Sequence, residues 1–539
     1  MFFLLTFCLV SVFFSIKDGT GVMFYAGFPM IFTAAAAAAG LLCTCDFVSE
    51  QVEKRLSRKK YTDAAALFGS SLKCAAIQSV LAFVVFYIGS GMVGGAILGN
   101  SYIAAVLRLY VPALVMLPFL GVFKGFLQGM GKKRPTQLSL WLMSGIFLIC
   151  GLLFGILGSD KGTKVGKLLR NDSMTYVYAA CGIGTGISAA VITVTILLGI
   201  LTFWYMRIMQ RSYHYRQDDL FRTDGNEDKT ELFQYCLQYI MGGLGPSIVL
   251  SLGILIGFRL WYGTQSSHSN TVASMWGGYI GIGFPICVGL GLLAAMPFTY
   301  LTMQVIRADR SGKRKLLRTR LGMLLRLSAY VGIPMSAFVF AAAKEIVAMF
   351  PELTFKAEET AILSLKAGSP LIFLIQTGCL ALVIYWRCSN RRAVVIGGCI
   401  AVFTEVVSQV VFMVLGIGIT MNCWPAVIMG SIFLIFLYAA GRGSVTAGVD
   451  AGWIMDDILI LLCAGIAAIP VIVLNDYLIQ VMPGVAAFAL MLAVYTGLYI
   501  LLSILLRAAD LRNINRVPLG DWILQLAVLL GAAEREEDE

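Results

Sequence analysis

Residues 105–136 read AVLRLYVPALVMLPFLGVFKGFLQGMGKKRPT, and their reading decides the fold. An apolar run of helix length begins near Arg108 and Pro112 and carries Lys124 inside it. It stops at Gly129, Gly131 and the basic turn Lys132-Lys133-Arg134-Pro135. Residues 363–394, LSLKAGSPLIFLIQTGCLALVIYWRCSNRRAV, write the pattern again. At a constant offset of 258, Arg108 falls on Lys366, Pro112 on Pro370, and Lys132-Lys133-Arg134 on Asn390-Arg391-Arg392. Gly27-Phe28-Pro29 recurs as Gly283-Phe284-Pro285 at offset 256. Two matches at nearly one spacing indicate a duplicated membrane lobe, a common plan among transporters.

The 539 residues are 59% hydrophobic and 13% charged, with a mean hydropathy of +0.84. A soluble chain of this length would be about a quarter charged. Here apolar residues come in blocks of about 18 to 25, enough to cross roughly 30 Å of hydrocarbon. The chain reads as an all-α polytopic membrane protein, because backbone groups in lipid must be satisfied within helices or a closed barrel. Barrel strands would alternate polar and apolar residues, and these blocks do not. The 13 cysteines are scattered singly apart from Cys43-Thr44-Cys45, which is neither a disulfide framework nor a zinc spacing. They read as small buried hydrophobes. His214 and His268 are the only histidines, so a multi-histidine metal site is excluded. The net charge of +11 does not indicate nucleic-acid binding, because the basic residues lie in short loops between spans, where they set topology. No nucleophile–base pair is visible, and no phosphate-cradling G-x-x-x-x-G-K-[ST] motif. The chain is expected to be no enzyme, to hold no cofactor and to draw on no ATP of its own.

Met1 to Ile16 reads as a first span rather than a signal peptide, since no basic residue precedes it. Further spans are predicted near 22–44, 64–88, 105–130, 137–158, 175–205, 232–261, 275–304, 321–350, 366–387, 393–417, 420–441, 456–475 and 483–506, about fourteen in all. Loop charges alternate. Connector 206–231 has five basic residues and 305–320 has seven, whereas 89–104, 262–274 and 418–419 have none. This places the basic loops and both termini in the cytoplasm. One loop dissents: 159–174 should be outside, yet it holds Lys161, Lys164, Lys167 and Arg170.

The predicted organisation is a six-helix lobe at 1–205, a cytoplasmic basic connector at 206–231 and a second six-helix lobe at 232–441. Two extra spans fill 442–506, and a cytoplasmic segment at 507–539 ends the chain. An even number of spans per lobe gives both the same orientation. Pro518 to Gly531 is too short to cross and reads as an interfacial amphipathic helix with Trp522 near the headgroups. The acidic end from Glu534 reads as disordered.

Asp18-Gly19-Thr20-Gly21 leading into Gly27-Phe28-Pro29 resembles the opening of the prokaryotic polysaccharide-export and lipid-linked-oligosaccharide flippases. Lys124-Gly125-Phe126-Leu127-Gln128-Gly129-Met130-Gly131, followed by Arg134-Pro135-Thr136, resembles their R-G-x-x-Q-G-x-G segment and its following P-T. The resemblance is to the stage V sporulation protein B-like and lipid II flippase branch of the multidrug/oligosaccharidyl-lipid/polysaccharide exporter (MOP) superfamily. Tyr176 to Met206 is similar to that group's sixth span, and Arg512 to Leu519 to its tail. The resemblance implies two six-helix bundles around a cavity that opens alternately to either face of a bacterial cytoplasmic membrane. It implies a substrate with a polyprenyl tail in the bilayer and a pyrophosphate-linked sugar in the cavity. The first helix departs from the family: Met1 to Ile16 lacks the basic residue usual there.

Charges inside spans are the candidate site residues, since each costs about 2.5–3.5 kcal/mol on insertion scales unless it faces water or a partner. They are Lys73, Arg108, Lys124, Arg259, Lys344, Glu345, Lys366 and Glu405. Snorkelling to headgroups accounts for Arg108, Arg259, Lys344, Glu345 and Lys366, which lie near span ends. Lys124 lies deeper and inside the motif that also holds Gly125, Gln128, Gly129 and Pro135. With Arg108, Arg259 and Lys366 it forms the set of cavity cations suited to a pyrophosphate head. Glu405 has two readings: a carboxylate coupling transport to H+ or Na+, or a packing group bonded to Ser408, Gln409 or a neighbour. Gly182-Ile183-Gly184-Thr185-Gly186 lies inside an apolar span and reads as close helix packing.

The leading expectation is a flippase for a polyprenyl-pyrophosphate-linked saccharide, such as a peptidoglycan or polysaccharide precursor. The alternatives are a cation-coupled multidrug antiporter of the same superfamily and a non-transporting membrane scaffold of envelope synthesis. Antiporters of that type usually carry an acid in the first or second span, and none occurs between Asp18 and Asp46.

Overall fold

The structure is a computed structural model that describes residues 2–39, 44–58, 61–97, 100–214, 269–350, 353–388, 391–415, 423–441, 452–481, 484–506 and 520–529. Those residues form helices and the turns between them, without a strand. Among them eleven helices are long and apolar enough to cross a membrane, and two shorter apolar helices cover Phe2–Lys17 and Gly21–Ala34. The span expected at 232–261, with Arg259, lies outside the described residues, as does most of the 206–231 connector.

The chain divides into two compact units, one of Phe2–Phe14 and Gly21–Ser269, the other of Ser15–Thr20 and Asn270–Glu539. The first begins with α1 (Phe2–Lys17), α2 (Gly21–Ala39), α3 (Cys45–Ser57) and α4 (Tyr61–Phe83). The backbone of α4 continues as a π-helical stretch, Val84–Ile88. Then come α5 (Ser101–Gly129), α6 (Lys133–Leu169) and α7 (Ser173–His214). The start of α5 is set by Asn100, whose side chain accepts from the Tyr102 N–H at 3.0 Å. Its end is set by Gly131, which takes φ 77°. That left-handed residue lets the Lys132 N–H reach the Leu127 carbonyl at 2.9 Å and the Gly131 N–H reach Gln128 at 3.0 Å. Pro135 follows in the first turn of α6, where a missing N–H costs nothing.

Two segments expected as loops are helical. Segment 45–63 contains α3, whose Val48 and Val52 are buried while Lys54 and Arg58 are exposed. The segment 159–174 is mostly the last three turns of α6, continuous to Leu169. Hydropathy stops at residue 158, but the backbone does not. Gly162 and Gly166 let α6 stay in contact with α7: a Cβ at Gly162 would stand 2.6 Å from the Met174 carbonyl. The same packing runs down the pair, with a Cβ at Gly186 falling 2.5 Å from the Gly151 Cα. The Gly182–Gly186 run is thus a helix contact. Tyr110, Phe126 and Phe147 fill the unit's core.

The second unit holds α8 (Ser269–Gly278), a buried π-helical turn at Tyr279–Gly283, α9 (Phe284–Ala295) and α10 (Thr299–Arg310). It continues with α11 (Arg314–Ala341), α12 (Ala343–Ala348), α13 (Phe355–Gly368), α14 (Pro370–Arg387), α15 (Arg391–Val414) and α16 (Cys423–Gly441). It closes with α17 (Gly452–Val481), α18 (Gly484–Leu505) and the short α19 (Gly520–Leu529). The interfacial segment expected at 518–531 is therefore helical over its described part, with Trp522 exposed.

Prolines punctuate these helices, and at Pro334 and Pro370 a neighbouring hydroxyl serves the carbonyl left without its donor. A proline cannot donate to the carbonyl four residues earlier. In α11, Pro334 strands the carbonyl of Tyr330, and the Tyr499 hydroxyl of α18 donates to it at 2.9 Å. Pro370 strands the carbonyl of Lys366, and the Ser369 hydroxyl donates to it at 3.0 Å. One core cluster joins α11, α17 and α18 through Phe338, Ala467, Met491 and Tyr495.

Candidate functional site

In the first unit the motif glycines face α3. A Cβ at Gly125 would stand 2.6 Å from the Cys45 carbonyl, and one at Gly129 would stand 2.7 Å from the Ser49 carbonyl. Gln128, between them, accepts from the Cys45 thiol at 3.2 Å. Gly125, Gln128 and Gly129 therefore clamp α5 onto α3. Lys124 precedes them on α5, half-buried, with no ion pair or hydrogen bond among the described residues.

Arg108 lies 16 residues earlier on the same helix, so about 24 Å separates it from Lys124. The structure does not bring these two cations together. The Arg108 guanidinium is exposed and held locally. Its Nε donates to the Ser90 hydroxyl at 2.9 Å, and its carbon sits 5.5 Å from the centre of the Tyr87 ring. Lys73, on α4, is also exposed, next to outward-facing Ile77 and Leu81.

In the second unit Lys366 is half-buried in the last turn of α13, where a cation complements the helix dipole. Glu345, in the first turn of α12, is buried, while its neighbour Lys344 is exposed. Glu405 is 3% exposed, and its Oε2 has no hydrogen-bond partner. The Ser408 hydroxyl, expected as a packing partner, donates instead to the backbone carbonyl of Glu405 at 2.9 Å. Gln409 Oε1 is likewise without a partner.

Glu405 sits within electrostatic reach of Tyr279, in the buried π-helical turn, and Tyr279 in turn of Cys287 and Cys423. Both thiol sulfurs lie against Gly368, 3.2 and 3.3 Å from where its Cβ would be, and Cys423 donates to the Ser364 carbonyl at 3.3 Å. Five elements thus surround a small polar cluster with one buried carboxylate. Of this cluster only Glu405 was singled out from sequence, because Tyr279, Ser364 and the cysteines look like ordinary apolar-span residues.

Sequence reasoning missed a groove in the same unit. It has a volume of about 480 Å³, and α11, α14, α16 and α17 line it through residues including Phe340, Phe373, Val427, Leu461, Gly465 and Ile472. Its three hydroxyls are turned onto their own helices: Ser336 donates to Gly332 at 2.9 Å, Ser369 to Lys366 at 3.0 Å, and Ser431 to Val427 at 2.8 Å. The lining therefore presents hydrocarbon. From Leu461 to Ile472 it follows α17 for about 16 Å, half the hydrocarbon thickness. Small residues at Gly465 and Ala468 leave the space, and that spacing was the signal available in the sequence.

No protein-family model and no curated protein matches the chain. Solved structures do. An inward-facing multidrug resistance MATE family transporter of the MOP superfamily aligns with TM-score 0.59 at 14% identity, over 82% of this chain and 94% of that one. The lipid II flippase MurJ, in an inward closed conformation, aligns with TM-score 0.60 at 13% identity, over 94% of this chain and 97% of that one. A MOP superfamily transporter from Pyrococcus furiosus aligns with TM-score 0.53 at 14% identity, over 82% and 92%. The chain is a multi-pass helical membrane protein with the fold of the MOP-superfamily transporters.

Proposed function

We propose that the chain is a flippase that moves a polyprenyl-pyrophosphate-linked saccharide, a peptidoglycan or polysaccharide precursor, across the bacterial cytoplasmic membrane by alternating access. The groove along α17 carries this reading. A polyprenyl tail needs a long apolar trough with no unsatisfied hydroxyl, and that is its chemistry. On the proposed organisation α17 and α18 are additions to a duplicated twelve-span plan of lobes at 1–205 and 232–441. The longer overlap with the lipid II flippase, 94% of this chain against 82% for the multidrug transporter, supports the same choice.

In this reading Lys124 neutralises the pyrophosphate head; Arg108, about 24 Å away along the same helix, is too far to share that site. Glu405 is the carboxylate that takes up the coupling cation, H+ or Na+: a buried acid with an unpartnered oxygen has a reason to exchange one. The Glu405 cluster also suits the second reading, a cation-coupled multidrug antiporter.

Reconstituted vesicles separate the two. Translocation of labelled polyprenyl-pyrophosphate sugar is measured beside drug efflux in the same preparation, with wild type and Gly465→Leu. A Cβ at Gly465 meets nothing within 4 Å, so the leucine fills the groove without disturbing the helices. The flippase reading expects sugar-lipid transport in wild type and its loss in Gly465→Leu at unchanged thermal stability. Drug efflux without sugar-lipid transport rejects it.

A further inference from the structure

The basic segment that contradicts the charge pattern is not a loop but the tip of a rigid hairpin. Helix α6 has 37 residues, about 55 Å of helix, whereas a bilayer with its headgroups is about 40–45 Å thick. One outward stripe runs along it. Ile149, Leu153 and Leu157 are exposed at four-residue spacing, the face a span shows to lipid. The same stripe continues without a break as Lys161, Lys164 and Leu168. Lys167 flanks it, and Arg170 closes the helix.

The opposite face is fixed. Ser159, Gly162 and Gly166 are buried against α7. Arg170 adopts the left-handed conformation at φ 49°, so the Asn171 N–H can close on the Gly166 carbonyl at 2.9 Å. The Asn171 side chain then accepts from the Ser173 backbone N–H at 3.1 Å and from its hydroxyl at 2.7 Å, capping α7. The side chains of Lys161, Lys164, Lys167 and Arg170 have neither an ion pair nor a hydrogen bond among the described residues. Asp160 and Asp172 are the acids of the tip, both exposed and neither paired to a cation.

We propose that Lys161, Lys164, Lys167 and Arg170 form a docking face for the headgroups of anionic phospholipids in the leaflet opposite the basic loops. Continuity with the lipid-facing stripe places the cations where hydrocarbon gives way to phosphate. Lysine stems cover apolar surface while their ammonium groups reach phosphate oxygens. A tilt within the range seen for membrane helices, up to about 40°, keeps the whole of α6, Leu168 included, inside the bilayer and its headgroup layers. The ordered tip loses little conformational freedom on binding. Basic residues on the non-cytoplasmic side are then retained by the lipids they hold, although the positive-inside pattern disfavours them there.

The test uses the full chain in vesicles of phosphatidylcholine with a graded fraction of phosphatidylglycerol. Wild type is compared with a variant carrying Lys161→Gln, Lys164→Gln, Lys167→Gln and Arg170→Gln. All four side chains are exposed, so the melting temperature should not move. Wild type should retain phosphatidylglycerol over phosphatidylcholine after extraction, by native mass spectrometry. The variant should lose that preference at least about 5-fold, as should wild type in 1 M salt. A fluorescent amino acid introduced at Thr163 should be quenched by headgroup-labelled lipid. Equal retention by the variant overturns the proposal. So does a probe quenched only from water, which would leave the tip as a surface for an acidic protein partner.

Discussion

A side chain added at Gly125 has nowhere to go, because the Cys45 carbonyl stands 2.6 Å from its Cβ position and Val48 stands behind it. Gly125→Val should therefore push α3 off α5 and cost about 1–3 kcal/mol, read as a lower melting temperature in detergent. Ala at Gly91, where nothing lies within 4 Å, should leave it unchanged. The motif was visible in the sequence, but its work was not. The partner of Gln128 is Cys45, 83 residues away, in a segment whose charges read as a loop. The in-span charges were visible too, while their fates diverged for a reason that spacing does not contain. Arg108 found Tyr87 on the π-helical extension and Ser90 just past its end, whereas Lys124 and the Oε2 of Glu405 kept no partner among the described residues. Neutralising the two should do different things. Lys124→Gln should abolish translocation at any gradient, by loss of phosphate neutralisation. Glu405→Gln should leave a basal rate that no longer responds to an imposed H+ or Na+ gradient. Both are read by labelled sugar-lipid uptake into reconstituted vesicles, and a variant of either kind that behaves as wild type removes its residue from the site.

At Pro334 another helix supplies the donor that the proline lacks. The Tyr499 hydroxyl occupies the place of the absent Pro334 N–H on the Tyr330 carbonyl, and Tyr495 donates to the Pro334 carbonyl at 2.7 Å. Two hydroxyls from α18 thus staple it to the kink in α11. Tyr499→Phe keeps the ring in the cluster and leaves a buried carbonyl unpaired, at a cost of about 1–3 kcal/mol. The variant should unfold at lower temperature, and hydrogen exchange should rise at the α11 kink; an unchanged melting temperature would mean that water already serves that carbonyl. The repeat writes proline twice, at Pro112 and Pro370, yet α5 runs through the first while a new helix begins at the second. Sequence gave the position of each proline, but continuity depends on what lies beside it. Beside Pro370 the local Ser369 hydroxyl serves the carbonyl that the proline strands, whereas beside Pro112 the Ser188 hydroxyl of α7 donates to the neighbouring Leu109 carbonyl at 2.7 Å and ties α5 to α7 there. Length was misread for a related reason. Hydropathy reports where lipid ends, and α6 continues past that point because glycines hold it to α7.

Across the whole molecule, topology is the property most fully written in the sequence and most directly open to test. Basic residues resist translocation, so seven of them between 305 and 320 and none between 262 and 274 argue for opposite sides for these two loops, with the basic one cytoplasmic. On that proposed topology the hairpin tip no longer weakens the count, because its cations belong to one continuous helix that starts at the Lys132-Lys133-Arg134 cluster and would emerge on the other side. Reporter fusions should therefore alternate without exception. Alkaline phosphatase should be active when fused at residue 165, 268 or 419 and inactive at residue 312 or 390. A fluorescent protein placed after Leu506 should mature in the cytoplasm. Residue 165 decides the matter, since it is the one place where charge alone and helix continuity give opposite answers. Inactive phosphatase there, with the others as expected, would require α6 to re-enter rather than cross. That outcome would take away both the even span count of the first lobe and the common orientation of the two repeats.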